Sequence, residues 1–234
     1  MGFALYAAIG SGHREVVNTL LENGAPVSDK DSQGFAPLHV AAQAGDAEML
    51  RSLLCRGAEK DGLGPQGNTA LHMAAQLGHL AATKALLAAG ADEGVRWGAP
   101  GKVVVLHVAA EMGHVDVVRA LLEHGADGAV LALLKHGAEV NSESSGMGQT
   151  PLHYAALNAG RQGTAQVVDV LLRWGADETV MDDDGDTPAD VVGEDTEELD
   201  RVAEDVEHVR KLLLNAPTDR AWRRRGYLTL CRAH

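Results

Sequence analysis

The chain has 234 residues, a formal charge of −13 at pH 7 and a 45% hydrophobic share, of which aromatic residues supply very little, 3% of the chain. A core so poor in rings must be filled by closely packed Ala, Leu and Val, which favours repeated small helices over a bulky enzyme interior. No run of about 18 apolar residues occurs and the start, MGFALYAAIGSGHREVV, has no basic segment ahead of an apolar one, so neither a membrane span nor a secretory signal is expected. Cys55 and Cys231 are the only cysteines and make no disulfide framework. An intracellular setting, cytoplasmic or nuclear, is expected.

In chain order, a leucine-centred motif recurs as LYAA at Leu5, LHVAA at Leu38, LHMAA at Leu71, LHVAA at Leu106 and LHYAA at Leu152, with steps of 33, 33, 35 and 46 residues. Each copy is followed by Gly-Ala at 24–25, 57–58, 90–91, 125–126 and 175–176. The stretch NTALHMAAQLGH, residues 68–79, predicts a short helix capped by Thr69 and stopped by Gly78. LAATKALLAAGA then predicts a longer helix with apolar i, i+3 and i+4 spacing that ends at Gly90. A turn-rich segment leads to the next copy. Neither helix can bury its apolar face alone, so neighbouring units must supply the core.

The pattern LH-x-AA-xx-GH with LL-xx-GA downstream, at a period of 33, resembles the ankyrin repeat over roughly Gly2 to Asp190. The resemblance implies an all-α solenoid of stacked helix-turn-helix units with finger loops. It also implies that the motif histidines, His39, His72, His107 and His153, steady their own turns and link adjacent units by hydrogen bonds. A metal array is disfavoured on spacing: stacked helices lie about 8–10 Å apart, whereas ligands to one zinc ion must approach within about 4 Å of each other. His79 and His114 read as structural in the same way. His124 and His136 precede glycines at expected helix ends, where a cation suits the dipole.

The expected organisation is four repeats over 1–127, a half-repeat over 128–141, a fifth repeat over 142–180, a degenerate acidic capping repeat over 181–217 and a basic tail over 218–234. The first repeat is incomplete and carries Tyr6 where the histidine belongs. In EHGADGAVLALLKHGAEVN the half-repeat supplies one outer helix, about Ala129 to Lys135, and no inner one. A notch or bend is therefore expected between rigid halves ending at Asp127 and beginning at Ser142. The fifth copy carries four extra residues between its helices, around Asn158 to Gly163. Asp195 and Glu198 predict a helix start, with Leu199, Val202, Val206, Val209 and Leu213 on one face. Met181 to Glu207 holds thirteen acids against Arg201 alone, which disfavours nucleic acid as the main partner.

No phosphate loop, paired-cysteine motif, HExxH or GxSxG occurs. No catalytic residue, metal or cofactor is expected, and no small-molecule substrate. The resemblance implies a protein-interaction module or scaffold, expected to be monomeric, that binds another protein on its concave face. That face would comprise Ser32, Gln33, Phe35 and Gln43; Pro65, Gln66, Asn68, Gln76 and Leu77; Arg96, Trp97, Glu111 and Met112; and Met147, Gln149, Leu157 and Asn158. Trp97 is the leading anchor, because tryptophan is enriched at binding hot spots. Two alternatives remain open: anionic-surface binding, to RNA or acidic lipid, through Arg223, Arg224 and Arg225, with Trp222 and Tyr227 interleaved; and a targeting fragment of a larger protein. Asn141, in the GAEVN turn, matches asparagines that are hydroxylated in similar ankyrin turns.

Overall fold

A computed structural model describes residues 2–98, 103–127, 140–193 and 204–216. They fall in two compact units, Met1–Ala99 and Pro100–His234. The first contains α1 (Gly2–Gly10), α2 (Arg14–Glu22), α3 (Pro37–Gln43), α4 (Ala47–Cys55), α5 (Ala70–Gln76) and α6 (Leu80–Ala88). The short helices α1, α3 and α5 pack successively as an inner row, and each lies against its own outer partner, α2, α4 or α6. Ala41, Ala42, Ala74 and Ala75 are fully buried between the rows, where a methyl group lets the helices approach closely. Leu50, Leu53 and Leu86 fill the space beneath the outer helices.

Caps follow the sequence. Thr69 accepts a hydrogen bond from the His72 backbone, and Gly78 and Gly90 take φ of +71° and +74°, the left-handed conformation that reverses the chain after α5 and α6. In the finger before α3, Asp31 Oδ1 accepts from the backbone N–H groups of Gln33 and Phe35 at 2.8 and 2.9 Å. The next finger has Gly64 in place of that aspartate. A Cβ there would lie 2.4 Å from Asn68 Oδ1, so the Asn68 side chain occupies the vacated space.

The second unit contains α7 (Val105–Glu111), α8 (Val115–Asp127), α9 (Pro151–Leu157), α10 (Thr164–Arg173) and α11, residues 204–216. Here α7 packs directly on α9, and α8 on α10. The expected notch after Asp127 is therefore absent from the packing: the fourth and fifth repeats are immediate neighbours although 46 residues separate their leucines. Nor does Gly125 end a helix. The helix α8 runs through Gly125-Ala126 to Asp127, and His124 stands in its last turn, near the helix end where the sequence places it. Glycine permits a left-handed turn without imposing one, and here the helical register continues.

The sixth copy forms turns over residues 188–193 instead of an inner helix, with Gly193 N–H donating to Ala156 O at 3.0 Å. In α11, Val209, Leu213 and Ala216 are buried and Val206 half-buried, the apolar face the sequence predicts for this stretch. Asp195, Glu198, Leu199 and Val202, the half-repeat helix with His136, and the tail with Arg223, Arg224 and Arg225 all lie outside the described residues.

Candidate functional site

The motif histidines are completely buried, and their hydrogen bonds define the frame on which any binding face rests. His39 Nδ1 accepts from Ala36 N–H at 3.2 Å, while Nε2 donates to Asn68 O at 3.2 Å in the next finger. His153 repeats the arrangement, with Nδ1 accepting from Thr150 N–H and Nε2 donating to Asp186 O, both at 3.1 Å. His107 Nε2 donates to Gln149 O at 3.1 Å. The ring of His72 lies 2.9 Å from the Thr69 hydroxyl through Nδ1. In His39 and His153 one nitrogen therefore secures the helix's own N-terminus and the other reaches the following repeat. Only a neutral ring with its proton on Nε2 serves both bonds, and burial pushes the pKa of His39 and of His153 down, favouring that state.

Tyr6, which replaces the first histidine, makes only the outward connection, its hydroxyl donating to Phe35 O at 3.0 Å and to Asp29 O. Burial, with the charges of Asp31 and Asp29, pushes its pKa up to about 12, so it remains a donor. His79, read from the sequence as structural, makes a further link. His79 Nε2 donates to Gln43 O at 3.1 Å, and its ring lies against Gly45, where a Cβ would come within 2.9 Å. Arg14 grips the Asp46 carboxylate with two bonds of 3.0 and 2.7 Å. Burial opposes ionisation of Asp46, but this guanidinium outweighs it and holds the carboxyl below its usual range.

The predicted face residues divide into three groups. In the first unit, Ser32, Gln33, Gln43, Pro65, Gln66, Gln76, Leu77 and Arg96 are exposed; Met147 is exposed in the second. Phe35, Trp97, Glu111, Met112, Gln149 and Leu157 are half-buried. Asn68 and Asn158 are buried at 7% and 3% exposure, which removes them from the surface set. Asn68 fills the gap beside Gly64, and Asn158 Nδ2 donates to Tyr154 O at 3.0 Å to close the C-terminus of α9. Gln149 is likewise engaged, donating through Nε2 to Asp182 Oδ2 at 3.2 Å.

Trp97 packs edge-on against the His72 ring, with centroids 5.6 Å apart. It thus braces the frame as well as offering part of its indole to solvent. The half-buried Tyr154, missing from the predicted set, makes the same kind of contact with His107 at 5.2 Å. Burial and the neighbouring Glu111 charge raise its pKa, against a hydrogen bond with Ser144. Its position straight after a motif histidine, where Val40, Met73 and Val108 stand in other repeats, was the available signal. The four-residue insertion meets the turn between α7 and α8 backbone to backbone: a Cβ on Gly163 would lie 2.3 Å from Gly113 O. Asn141 Oδ1 accepts from Asp177 N–H at 2.8 Å, as Asp61 accepts from Asp92 N–H in the first unit. Among the described residues no group of His, Cys, Asp and Glu could hold a metal ion, and no helix is long and apolar enough to cross a membrane.

Stacked inner and outer helices joined by αL glycines, with histidines bonded across repeats, define a helical repeat array. Residues 2–63, 59–130 and 105–182 match the family model described as ankyrin repeats, and the chain belongs to that family. Among solved structures, the crystal structure of the ankyrin repeat protein EF0377 aligns with a TM-score of 0.71 at 24% identity, covering 90% of this chain and 96% of that one. A chain from the complex of the Bd0816 predatory endopeptidase from Bdellovibrio bacteriovorus with the immunity protein Bd3460 aligns with a TM-score of 0.70 at 23% identity, covering 91% and 97%. No curated protein sequence matches. Ankyrin repeats are generic protein-interaction modules.

Proposed function

We propose that the chain is a non-catalytic binding module that engages a partner protein on finger tips and inner-helix ends. One observation carries the reading: the recurrent motif side chains are buried and bonded into the frame, while the positions between them are exposed on anchored backbone. In the first unit these are Gln33, Gln43, Pro65, Gln66, Gln76, Leu77 and Arg96, beside the half-buried Trp97; in the second they are Met147 and the half-buried Glu111, Met112 and Leu157. A surface held this firmly loses little conformational entropy on association. A solved neighbour of the same fold comes from an endopeptidase–immunity protein complex, which is in keeping with protein binding.

The test takes a partner retained from cell extract at both low and high salt and measures its affinity for variants of the full chain. Leu77→Arg and Met147→Arg place charges on the two faces, whereas Lys84→Ala alters the exposed side of outer helix α6. Loss of more than about 1 kcal/mol in at least one face variant, with Lys84→Ala unchanged, supports the proposal. Loss in Lys84→Ala alone refutes it.

A further inference from the structure

We infer that the face of the first unit recognises an uncharged, extended polypeptide segment through its main-chain amides, with Gln33, Gln43 and Gln66 as the recognising groups. This rests on the protein-binding reading above and specifies the chemistry of the partner. Gln33 and Gln66 stand 33 residues apart at the tips of adjacent fingers, and Gln43 and Gln76 stand 33 apart at the ends of adjacent inner helices. All four are exposed. So are Ser32, Pro65 and Leu77 beside them, and none of the seven carries a charge in a chain that is 23% charged. The charged pair just before the first tip, Lys30 and Asp31, is of opposite sign, and Asp31 is bound into the turn. Arg96, the one charged member of the first-unit face, follows on the next finger after Gln66, so a charged partner group set on the tract from Gln33 to Gln66 would lose hydration without a counter-charge among these seven residues.

An amide head is suited to a peptide unit because it donates and accepts at once. Stacked helices lie about 8–10 Å apart, and three residues of extended chain span about 10 Å, so successive rungs meet every third peptide unit of a strand laid along the stack. A helical ligand would have its own amides already paired and could offer only side chains. The backbones that carry the glutamines are fixed. Gln33 N–H is held by Asp31 at 2.8 Å, and Gln66 sits in a turn closed by Gly64 N–H to Asn68 O at 2.7 Å. The two fingers touch where Pro65 Cγ would lie 3.3 Å from a Cβ on Gly34. Gln43 O is pinned by His79. Leu77, 47% exposed, adds one apolar contact beside the rows.

The experiment selects random dodecapeptides displayed on phage against the full chain, then measures the synthesised peptides by fluorescence anisotropy. The expected winners carry net charge near zero and bind with less than about a two-fold change between about 50 and 500 mM salt. Their affinity should fall at least about ten-fold in Gln33→Ala/Gln43→Ala/Gln66→Ala, the loss of two or more neutral hydrogen bonds, and likewise when every third peptide nitrogen is methylated. Thermal melting of the triple variant, whose three side chains are exposed, should match that of the parent. Peptides indifferent to the triple substitution but lost in Leu77→Arg overturn the amide inference and leave the binding face standing. Indifference to both overturns the two together. Selection of charged, salt-sensitive peptides, or of none, also overturns the inference.

Discussion

Truncating the motif histidines separates the two halves of their role and sets an order that can be checked. In His39→Ala the Ala36 N–H loses its partner and the Asn68 carbonyl loses one of its two donors, keeping Gly64 N–H at 2.7 Å, and Asn68 is only 7% exposed, so water does not replace the ring. The orphaned N–H costs about 1–3 kcal/mol, the lost bond to Asn68 O about 0.5–1.5 kcal/mol, and the edge contact with Phe35, centroids 6.0 Å apart, adds about 0.5–1.5 kcal/mol. The better helix propensity of alanine returns about 0.5 kcal/mol, leaving a loss of about 1.5–5.5 kcal/mol. His153→Ala strands Thr150 N–H in the same way, but its second acceptor belongs to Asp186, an exposed residue where water takes over. Its loss should be about 1 kcal/mol smaller. Urea unfolding followed by far-UV circular dichroism at pH 7.5 gives both midpoints. Losses under about 1 kcal/mol, or His153→Ala as the more damaging change, would refute the account of two bonds per ring.

Further outcomes follow from the same geometry. Because burial holds the folded-state pKa of His39 and His153 below the unfolded value near 6.5, the stability that they confer is present above about pH 6.5 and is lost as pH falls toward their folded pKa values, by up to about 1.4 kcal/mol per pH unit for each ring. Urea midpoints across pH 7.5 to 5 should show the decline and His39→Gln/His153→Gln should flatten it. Gly113→Ala would place a Cβ 2.5 Å from Gln162 O at φ +73°, whereas Gly57→Ala, at φ +88°, meets no heavy atom within 4 Å and bears backbone strain alone. Thermal melting should find Gly113→Ala worse by more than about 1 kcal/mol. Deleting residues 128–139 joins Asp127 to Val140 as Gly-Ala-Asp-Val-Asn and reduces the leucine step from 46 to 34, since 46 − 12 = 34. As α7 already packs on α9 and α8 on α10, the deletion variant should fold cooperatively and unfold within about 1 kcal/mol of the parent by urea titration.

The frame was legible because it is written in period: LH-x-AA and Gly-Ala at fixed separation give helix lengths, caps and stacking partners without any long-range knowledge. The site was legible in position but not in exposure. Gln33 and Gln66 are as open as finger tips should be, yet Asn68, two residues beyond Gln66, is buried because Gly64 lacks the side chain that Asp31 supplies at the corresponding place in the preceding finger. That compensation joins two residues four apart within one turn and has no periodic signature. Asn158 followed the repeat alignment to the surface, but the insertion after it turns the chain back onto Gly113, and its amide closes α9 instead. The continuation of α8 through Gly125 shows the same limit from the other side. The marker that stops four helices marks only where a stop is sterically available.

The ends of the histidine ladder explain how stability and recognition are kept apart. An internal rung needs two functions, an acceptor for its own helix start and a donor for the next finger, and neutral imidazole supplies both. Tyr6 uses its hydroxyl as the donor to Phe35 O; Asp190, standing where the sixth histidine would be, has only the acceptor and takes Thr187 N–H at 2.9 Å and the Thr187 hydroxyl at 2.5 Å. The pair of bonds to Thr187 holds the Asp190 carboxyl below its usual range. The first and sixth rungs thus each retain one half of the histidine's chemistry. All these bonds run to main-chain groups or to a threonine within the frame, so none passes through the heads of Gln33, Gln43, Gln66 or Leu77. Substituting those four can therefore alter what the protein binds without loosening the stack, which is the condition under which affinity and melting temperature vary independently.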